Sequence, residues 1–194
     1  MEETEVGLMR QIKADDMSGF SRLVEKHQKK VLNFIHKFLG NTSLAEDLTQ
    51  ETFIRVYKAR KSYQPTAKFT TWLYHIVKNL CLNQMKKNNH EPCSIDSNTD
   101  DAENAHSAYL QSPVNTSIEE AQKTEVIEAV RNAIDSLPPN QKMALILNRY
   151  EGLAYDEIAE RMEISTKAVK SLLSRARENI KIKLSPYINK EEEI

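Results

Sequence analysis

The sequence predicts an all-α protein made of two small helical domains. Only four of its 194 residues are glycine and six are proline, so few positions interrupt regular structure. Apolar residues recur at spacings of three and four over most of the chain, which is the period of an amphipathic helix. One polar segment, residues 90–117, lacks this period and divides the two predicted domains.

The first predicted domain spans residues 6–89 and contains four helices. Its clearest helical pattern covers residues 20–39, where apolar side chains recur on one face and Gly40 ends the run. Thr42 or Ser43 is expected to cap the following helix by accepting a hydrogen bond from a free backbone N–H. These signals place two long helices next to each other in the first domain.

A loop and a last helix complete the first predicted domain. Residues 62–68 are polar and contain Pro65, which favours a loop. Helical periodicity returns over residues 70–87. Residues 90–117 are rich in Ser, Asn, Asp and Pro, so they are predicted to form a flexible acidic linker.

The second predicted domain spans residues 118–187. Pro138-Pro139 favours a helix start, because proline suits the first turn of a helix. Residues 154–184 are predicted to form a helix, a turn and a long helix. A domain of this size buries only a small core, so we expect modest stability.

The formal net charge of −1 conceals a strong separation of charge along the chain. Residues 52–90 contain no acid, and residues 88–122 contain no Lys or Arg. Between Lys167 and Lys183 the basic residues are accompanied by a single acid, Glu178. One block of like charge is commonly a solvated surface. Two basic blocks on helices with a defined outer face favour binding to nucleic acid.

The strongest local pattern is a helix-turn-helix within residues 155–173. Ile158 and Met162 supply apolar positions of the first helix, Ile164 fills the turn, and Ser165 is placed to cap the second helix. A solvated amphipathic helix is the alternative, but this combination favours a DNA-recognition helix entering the major groove. Its outer side carries polar residues spaced by three and four: Lys167, Lys170, Ser171, Ser174, Arg175 and Glu178.

A second pattern lies in residues 45–59 of the first domain. On a helix, one outward stripe combines charged residues with an exposed apolar position, and this mixture suits a protein partner better than water. A charged solvent face is the alternative. The stripe consists of Asp47, Gln50, Glu51, Ile54 and Lys58.

The helix over residues 69–87 carries a third pattern. Trp72, His75, Asn79, Asn83 and Lys86 share one stripe. Amide side chains four residues apart can hydrogen-bond base edges, and an indole can stack on an unpaired base. A lone Trp also fits a helical core, and this alternative stays open on the residues alone. His75 has no neighbours in the sequence that would complete a metal site.

The second domain resembles the promoter −35-binding domain of extracytoplasmic-function (ECF) sigma factors, which are members of the sigma-70 family. The resemblance is carried by Leu137-Pro138, by residues 150–159, by Lys167–Ser171 and by Ser174–Arg177. It adds Arg177 to the residues expected to contact DNA. The family's proline-glycine entry to the recognition helix is replaced here by Ser165-Thr166-Lys167.

The first domain resembles the corresponding sigma domain in two places. Residues 45–59 are similar to the region that binds the coiled coil of the RNA polymerase clamp. Residues 69–83 are similar to the −10 recognition and melting region, in which a flipped base enters a pocket formed partly by the preceding loop. The resemblance therefore implies a −10 site made of Tyr63, Lys68, Phe69, Trp72, His75, Lys78, Asn79, Asn83 and Lys86.

This resemblance implies a sigma factor that binds core RNA polymerase at its clamp and flap, recognises promoter DNA and is held by an anti-sigma factor. We expect a monomer when it is free of polymerase. No residue set indicates catalysis, a metal or a cofactor, so the protein is not expected to be an enzyme. An autonomous helix-turn-helix regulator and a module that binds an acidic protein are the alternatives.

The sequence also bears on location. The start of the chain, residues 1–5, is acidic and lacks the features of a secretory signal, and no apolar stretch is long enough to span a bilayer. Cys81 and Cys93 have no metal-ligand spacing, and Cys81 lies in an apolar pattern that predicts a buried thiol. We therefore expect a cytoplasmic protein without membrane insertion.

Overall fold

A computed structural model describes residues 4–90 and 118–188, and within these ranges it contains helices and no strand. The all-α prediction is confirmed. The predicted linker lies almost entirely outside the described residues. The α-helices are α1 (Glu5–Lys13), α2 (Met17–Leu39), α3 (Thr42–Lys58), α4 (Phe69–His90), α5 (Ile118–Asp135), α6 (Pro139–Arg149), α7 (Tyr155–Met162) and α8 (Thr166–Ile188).

The ends of the helices follow from local chemistry. Gly40 ends α2 in the left-handed region with φ +73°, where a glycine has no Cβ to clash. The prediction that Thr42 or Ser43 caps α3 is wrong, because the Asn41 side chain takes that position. Its Oδ1 accepts a hydrogen bond from the Leu44 N–H at 2.9 Å. The chain becomes extended directly after Gly40, which makes Asn41 the cap.

Helices α1 to α4 form an N-terminal unit around a shared apolar core. Helix α2 contacts α1, α3 and α4, so it is the central element. The side chains of Leu23, Val31 and Ile35 on α2 are fully buried, as are Val56 on α3 and Leu73 on α4. Burying each such side chain stabilises the fold by roughly 1.5–3 kcal/mol relative to exposure.

Helices α5 to α8 form a C-terminal unit that contains the predicted helix-turn-helix. The turn between α7 and α8 places Glu163 in the left-handed region at φ 58°, and the Ile164 N–H donates to the Ala159 carbonyl at 3.1 Å. Ser165 then caps α8, as predicted, because its Oγ accepts from the Ala168 N–H at 3.2 Å. This turn fixes the direction in which α8 leaves the unit.

The two units pack against each other, which the sequence patterns did not predict. Helix α4 lies on α7, and α2 contacts α6. The apolar core is continuous between the units, and Tyr74 on α4 is only 6% exposed. The packing brings the predicted −10 helix next to the first helix of the helix-turn-helix.

Candidate nucleic-acid and polymerase interfaces

Helix α8 exposes one polar face along the C-terminal unit. Its opposite side carries the buried residues Val169, Leu173 and Ala176, and the helix packs against α5, α6 and α7. The spacing of these apolar residues turns every predicted −35 contact outward. The exposed residues on this face are Lys167, Lys170, Ser171, Ser174, Arg175 and Arg177.

An aromatic cluster joins the loop before α4 to the start of that helix. The Tyr63 and Trp72 ring centroids lie 4.8 Å apart, and Phe69 lies 5.8 Å from Trp72. Tyr63 and Trp72 are each partly exposed. Phe69 is 3% exposed and packs on His27. Its ring therefore packs on the core side of the other two rings and exposes little surface, and its predicted contact with DNA stays a prediction.

The Tyr63 hydroxyl is buried without a hydrogen-bond partner in the described structure. Burial, and then the negative charge of Glu5, raise the pKa of this phenol. An unsatisfied buried hydroxyl costs about 1–3 kcal/mol. The loop before α4 therefore holds a buried polar group without a partner among the described residues.

The C-terminal part of α4 carries a basic and amide-rich surface. Asn79, Asn83 and Lys86 are exposed, and Lys68 is exposed in the loop at the other end of the helix. A cavity of about 320 Å³ lies between α3 and α4 and is lined by Leu48, Arg55, Leu80, Asn83, Gln84, Lys86 and Lys87. Sequence reasoning did not assign Arg55 or Lys87 to a site, although both lie in the acid-free interval of the chain.

Two predicted −10 residues, both partly exposed, make polar contacts with the C-terminal unit. Nδ1 of His75 lies 3.1 Å from Oε1 of Glu163. The Lys78 ammonium donates to the Met162 carbonyl at 3.1 Å. Next to them, the Thr71 hydroxyl donates to Glu160 Oε1 at 3.0 Å. In this arrangement α7 therefore covers part of the predicted −10 face.

The predicted polymerase-binding stripe lies on the outer side of α3. Ile54 is 46% exposed, so it is the outward apolar position that the sequence pattern predicts for this stripe. Asp47, Gln50 and Lys58 are also exposed, whereas Glu51 is partly buried. A hydrogen bond from Arg55 lowers the pKa of Glu51, so this carboxylate stays charged at neutral pH.

A shallow groove beside this stripe extends it toward α2. Gln50 lines the groove, whose volume is about 410 Å³. The stripe and the groove together form a continuous surface of mixed polarity between α2 and α3. The other lining residues are Gln28, Lys29, Leu32, Glu46 and Thr49.

Metal sites, membrane-spanning helices and reactive thiols were also considered for the part of the chain that the structure describes. No cluster of three or more metal-binding side chains occurs there, and none of its helices is long and apolar enough to cross a membrane. Cys81 is buried, as predicted, and burial raises the pKa of its thiol to about 12. This thiol is therefore protonated and unreactive at neutral pH.

An exposed basic helix that follows a short turn after α7 defines the C-terminal unit as a helix-turn-helix of the DNA-binding class. Two family models match the chain: sigma-70 region 2 over residues 23–91 and sigma-70 region 4 over residues 127–180. With the relatives described next, these matches show that the chain belongs to the sigma-70 family, in its group of ECF sigma factors. The predicted resemblance is confirmed.

The chain is similar to sigma factors over nearly its whole length. It is 32% identical over 185 residues to the ECF RNA polymerase sigma-E factor of Haemophilus influenzae, covering 95% of this chain and 97% of that one. It is 30% identical over 187 residues to the RNA polymerase sigma-H factor of Pseudomonas aeruginosa, covering 96% and 97%. The sigma-E factor of Escherichia coli K12 is 32% identical over 191 residues, covering 96% and 97%.

Solved structures show the same fold. CnrH in complex with the cytosolic domain of CnrY matches with a TM-score of 0.66 at 18% identity, covering 95% of this chain and 99% of that one. The sigma factor RpoE in complex with the anti-sigma factor NepR, from Bartonella quintana, matches with a TM-score of 0.57 at 20% identity, covering 86% and 96%. The similarity thus extends across both units.

Proposed function

We propose that this sigma factor binds core RNA polymerase through α3, captures the opened −10 strand with α4 and reads the −35 duplex with α8. The observation that carries the proposal is the presence, on one chain, of an exposed recognition helix and a separate aromatic and amide surface. A duplex groove is recognised by an exposed polar helix, whereas an unpaired strand is recognised by aromatic and amide side chains. The C-terminal unit carries the first kind of surface, and the N-terminal unit carries the second.

The −35 proposal rests on the outer face of α8. Lys170 and Arg175 are exposed on successive turns, so they can reach phosphates or the O6 and N7 atoms of guanine. Ser171 and Ser174 lie between them and can hydrogen-bond bases or backbone. An α-helix fits the major groove of B-DNA, whose base edges differ for every base pair.

The −10 proposal rests on the surface formed by Tyr63, Trp72, Asn79 and Asn83. Stacking of a base on an aromatic side chain is worth about 1–3 kcal/mol. That gain offsets the few kcal/mol lost when a base leaves its stack. The exposed amides lie farther along the same helix, where they can hydrogen-bond neighbouring bases. Phe69 packs against both aromatic rings.

The polymerase proposal rests on the stripe of α3. Ile54 provides an apolar contact, and Asp47 and Lys58 provide charges at its edge, which is the usual layout of a protein interface. Its proposed partner is the coiled coil of the polymerase clamp, and the C-terminal unit would bind the polymerase flap. Transcription chemistry then belongs to the polymerase, and this chain acts without catalysis of its own in the cytoplasm.

An anti-sigma factor is the second proposed partner. CnrH and RpoE, whose folds this chain shares, were each solved with a protein bound, and NepR is described as an anti-sigma factor. The partly apolar surface on α3 suits an inhibitor as well as polymerase, and one partner would then exclude the other.

Transcription by a reconstituted polymerase tests the proposal. Purified protein is mixed with core RNA polymerase and fragmented genomic DNA, and the transcripts are sequenced. We expect discrete start sites that share −10 and −35 elements, and none with core enzyme alone. An autonomous helix-turn-helix regulator would instead bind duplex DNA tightly without conferring initiation on core enzyme, and that outcome would reject the proposal.

A further inference from the structure

The turn between α1 and α2 is joined by charge to the start of the loop before α4. We infer that Asp15, in this turn, is a positioning residue for capture of the −10 strand. Its carboxylate holds a short 3₁₀ turn, Ala59–Lys61, from which the loop of residues 62–68 begins. The inference rests on the proposed role of Tyr63 and Trp72 in holding an unpaired base. Asp15 itself belongs to none of the predicted DNA-binding or polymerase-binding sets.

The Asp15 carboxylate accepts hydrogen bonds from two consecutive basic residues. Its Oδ1 accepts from Nε of Arg60 at 3.1 Å and from Nη2 of the same guanidinium at 3.0 Å. Its Oδ2 accepts from the Lys61 ammonium at 2.7 Å. Hydrogen bonds from Lys61, and then from Arg60, lower the pKa of the Asp15 carboxyl, so its charge is present at neutral pH. Both oxygens of this carboxylate therefore bind the 3₁₀ turn.

The backbone of Asp15 adopts a conformation that suits few residue types. Its φ is 64°, in the left-handed region where an L-residue is strained and glycine is not. A glycine would form the same turn with less strain, but it could not bind Arg60 and Lys61. The carboxylate is therefore what Asp15 contributes to this turn beyond a glycine.

Arg60 connects the turn to the packed part of the N-terminal unit. Its side chain is 19% exposed, and its guanidinium carbon lies 4.0 Å from the ring centroid of Tyr57. Its Nη1 also donates to the Tyr57 carbonyl at 3.1 Å. The Tyr57 ring packs on Phe20 of α2, with the ring centroids 5.3 Å apart. Because the guanidinium is held on two sides, a carboxylate bonded to it restrains the 3₁₀ turn.

The 3₁₀ turn fixes the backbone at which the loop begins. The Ala59 carbonyl accepts from the Ser62 N–H at 3.0 Å and from the Tyr63 N–H at 2.9 Å. Tyr63 follows Lys61 by two residues, so it is bonded to the same turn that the carboxylate holds. Residues 64–68, which come next, are exposed. The contacts on the 3₁₀ turn therefore determine where the Tyr63 side chain starts.

The position of the Tyr63 ring matters because it forms one surface with Trp72. The two ring centroids lie 4.8 Å apart, and a binding site tolerates displacements of only about 0.5 Å in its side chains. A loop released at its start would sample several positions of this ring. Only the fraction of molecules with the ring in place could then hold a base.

The fluorescence of Trp72 tests the restraint directly, because this is the one tryptophan in the sequence. In free full-length protein, Asp15→Gly should shift the Trp72 emission to longer wavelength and increase its quenching by acrylamide, since Tyr63 no longer stays beside the indole. Urea unfolding should show similar stability, because relief of backbone strain offsets the lost ion pairs. If Asp15→Gly does not fold, Asp15→Asn replaces it, since asparagine also suits the left-handed region.

The matched control is Glu25→Gln, which removes the same charge at an exposed position of α2. It should leave both the emission and the quenching of Trp72 unchanged. An equal shift in this control would mean that net charge, not the contact with the 3₁₀ turn, alters the surroundings of the indole, and would overturn the inference.

Promoter opening tests the functional part. Holoenzyme is assembled from core polymerase and each variant on a promoter found by the transcript sequencing above, with 2-aminopurine in the −10 element as the probe. Asp15→Gly should slow opening about two- to tenfold, the range for a small network of charged contacts. Affinity for core enzyme should not change, since the α3 stripe is intact. In a chain that carries Arg60→Gln/Lys61→Gln, adding Asp15→Gly should slow opening no further.

The outcomes separate this inference from the proposed function. Unchanged Trp72 emission in Asp15→Gly, or normal opening on active promoters, would overturn the inference and leave the proposed function standing. A full additional loss on top of Arg60→Gln/Lys61→Gln would also overturn it, because Asp15 would then act on DNA or polymerase directly. If the parent chain gives no promoter-specific transcripts, the proposed function fails, and the Trp72 emission still decides whether Asp15 holds the loop.

Discussion

The rings of Tyr63 and Trp72 pack with their centroids 4.8 Å apart at an interplanar angle of 57°. One ring belongs to the loop and the other to the first turn of α4, so the loop and the helix present one aromatic surface. Phe69 fixes both rings from the core side. A base that stacks here would be held by a preformed platform.

Removal of the Trp72 indole should impair promoter opening. In Trp72→Ala we expect the loss of about 1–3 kcal/mol of stacking, seen as weaker permanganate reactivity of −10 thymines in the polymerase–promoter complex. Trp72→Phe should retain most of the reactivity, because it keeps a stacking surface. If Trp72→Ala opens promoters like the parent while remaining folded, the indole has no role in strand capture.

Asn79 and Asn83 should determine which bases are preferred at −10. Replacing either with Ala removes a bidentate hydrogen-bonding group and should relax discrimination by about 1–3 kcal/mol at one promoter position. Transcription from a library with a randomised −10 element measures this change. Asn33→Ala, at an exposed position of α2, is the control. Unchanged preferences in both α4 variants would show that these amides do not read bases.

The outer face of α8 should control recognition of the −35 element. Lys170→Ala or Arg175→Ala should cost about 1–3 kcal/mol if the side chain contacts a guanine, with relaxed specificity at that position. If it contacts only phosphate, the loss should be similar for all sequences, and the salt dependence should be shallower. Competition between promoters that differ in single −35 bases distinguishes the two, with Lys183→Ala as the control. No loss on −35-dependent promoters would refute the assignment.

The α3 stripe should determine affinity for core polymerase. Asp47→Ala removes an exposed charge at the edge of the proposed interface and should weaken binding about two- to fivefold. Ile54→Ala should also weaken binding to core polymerase, because it removes the apolar side chain that the polymerase would bury. Fluorescence titration of labelled protein with core enzyme measures both. Glu25→Ala, exposed on α2, should bind normally, and equal affinity for all three variants would contradict the proposed surface.

Acid should destabilise the N-terminal unit through His27. Burial lowers the pKa of this imidazole below its ordinary value of 6.5, and the nearby Glu5 carboxylate only partly opposes the shift. The unfolded chain therefore binds a proton that the folded chain does not, and stability should fall as the pH drops below about 6.5. Urea unfolding across this range should show a smaller pH dependence for His27→Gln. An identical slope would assign the effect to other groups.

Local sequence signals predicted most of the fold. Pro139 begins α6, Gly40 ends α2 and Ser165 caps α8, because each residue type has a specific backbone or hydrogen-bonding preference. The predicted cap of α3 was wrong by one or two positions, since Asn41, Thr42 and Ser43 are all capable caps. Only the course of the chain after Gly40 decides among them.

The contact between the two units could not be predicted from sequence patterns. Tyr74 and Met162 occupy positions that look like ordinary core sites of their own units, and periodicity does not tell which surface covers them. In the same way, Phe69 belonged to a motif associated with DNA, yet its burial depends on His27, a residue far away in the chain. Such pairings require three-dimensional packing.

The backbone at Glu163 has a consequence for how this protein could evolve. An L-residue with φ 58° carries a steric penalty of about 1–2 kcal/mol that glycine avoids. A glycine at this position would ease the turn and at the same time remove the carboxylate that faces His75. The substitution most favourable for local geometry would therefore remove a polar contact between the two units, so the shape of this turn and the packing of α4 place opposite demands on the residue at position 163.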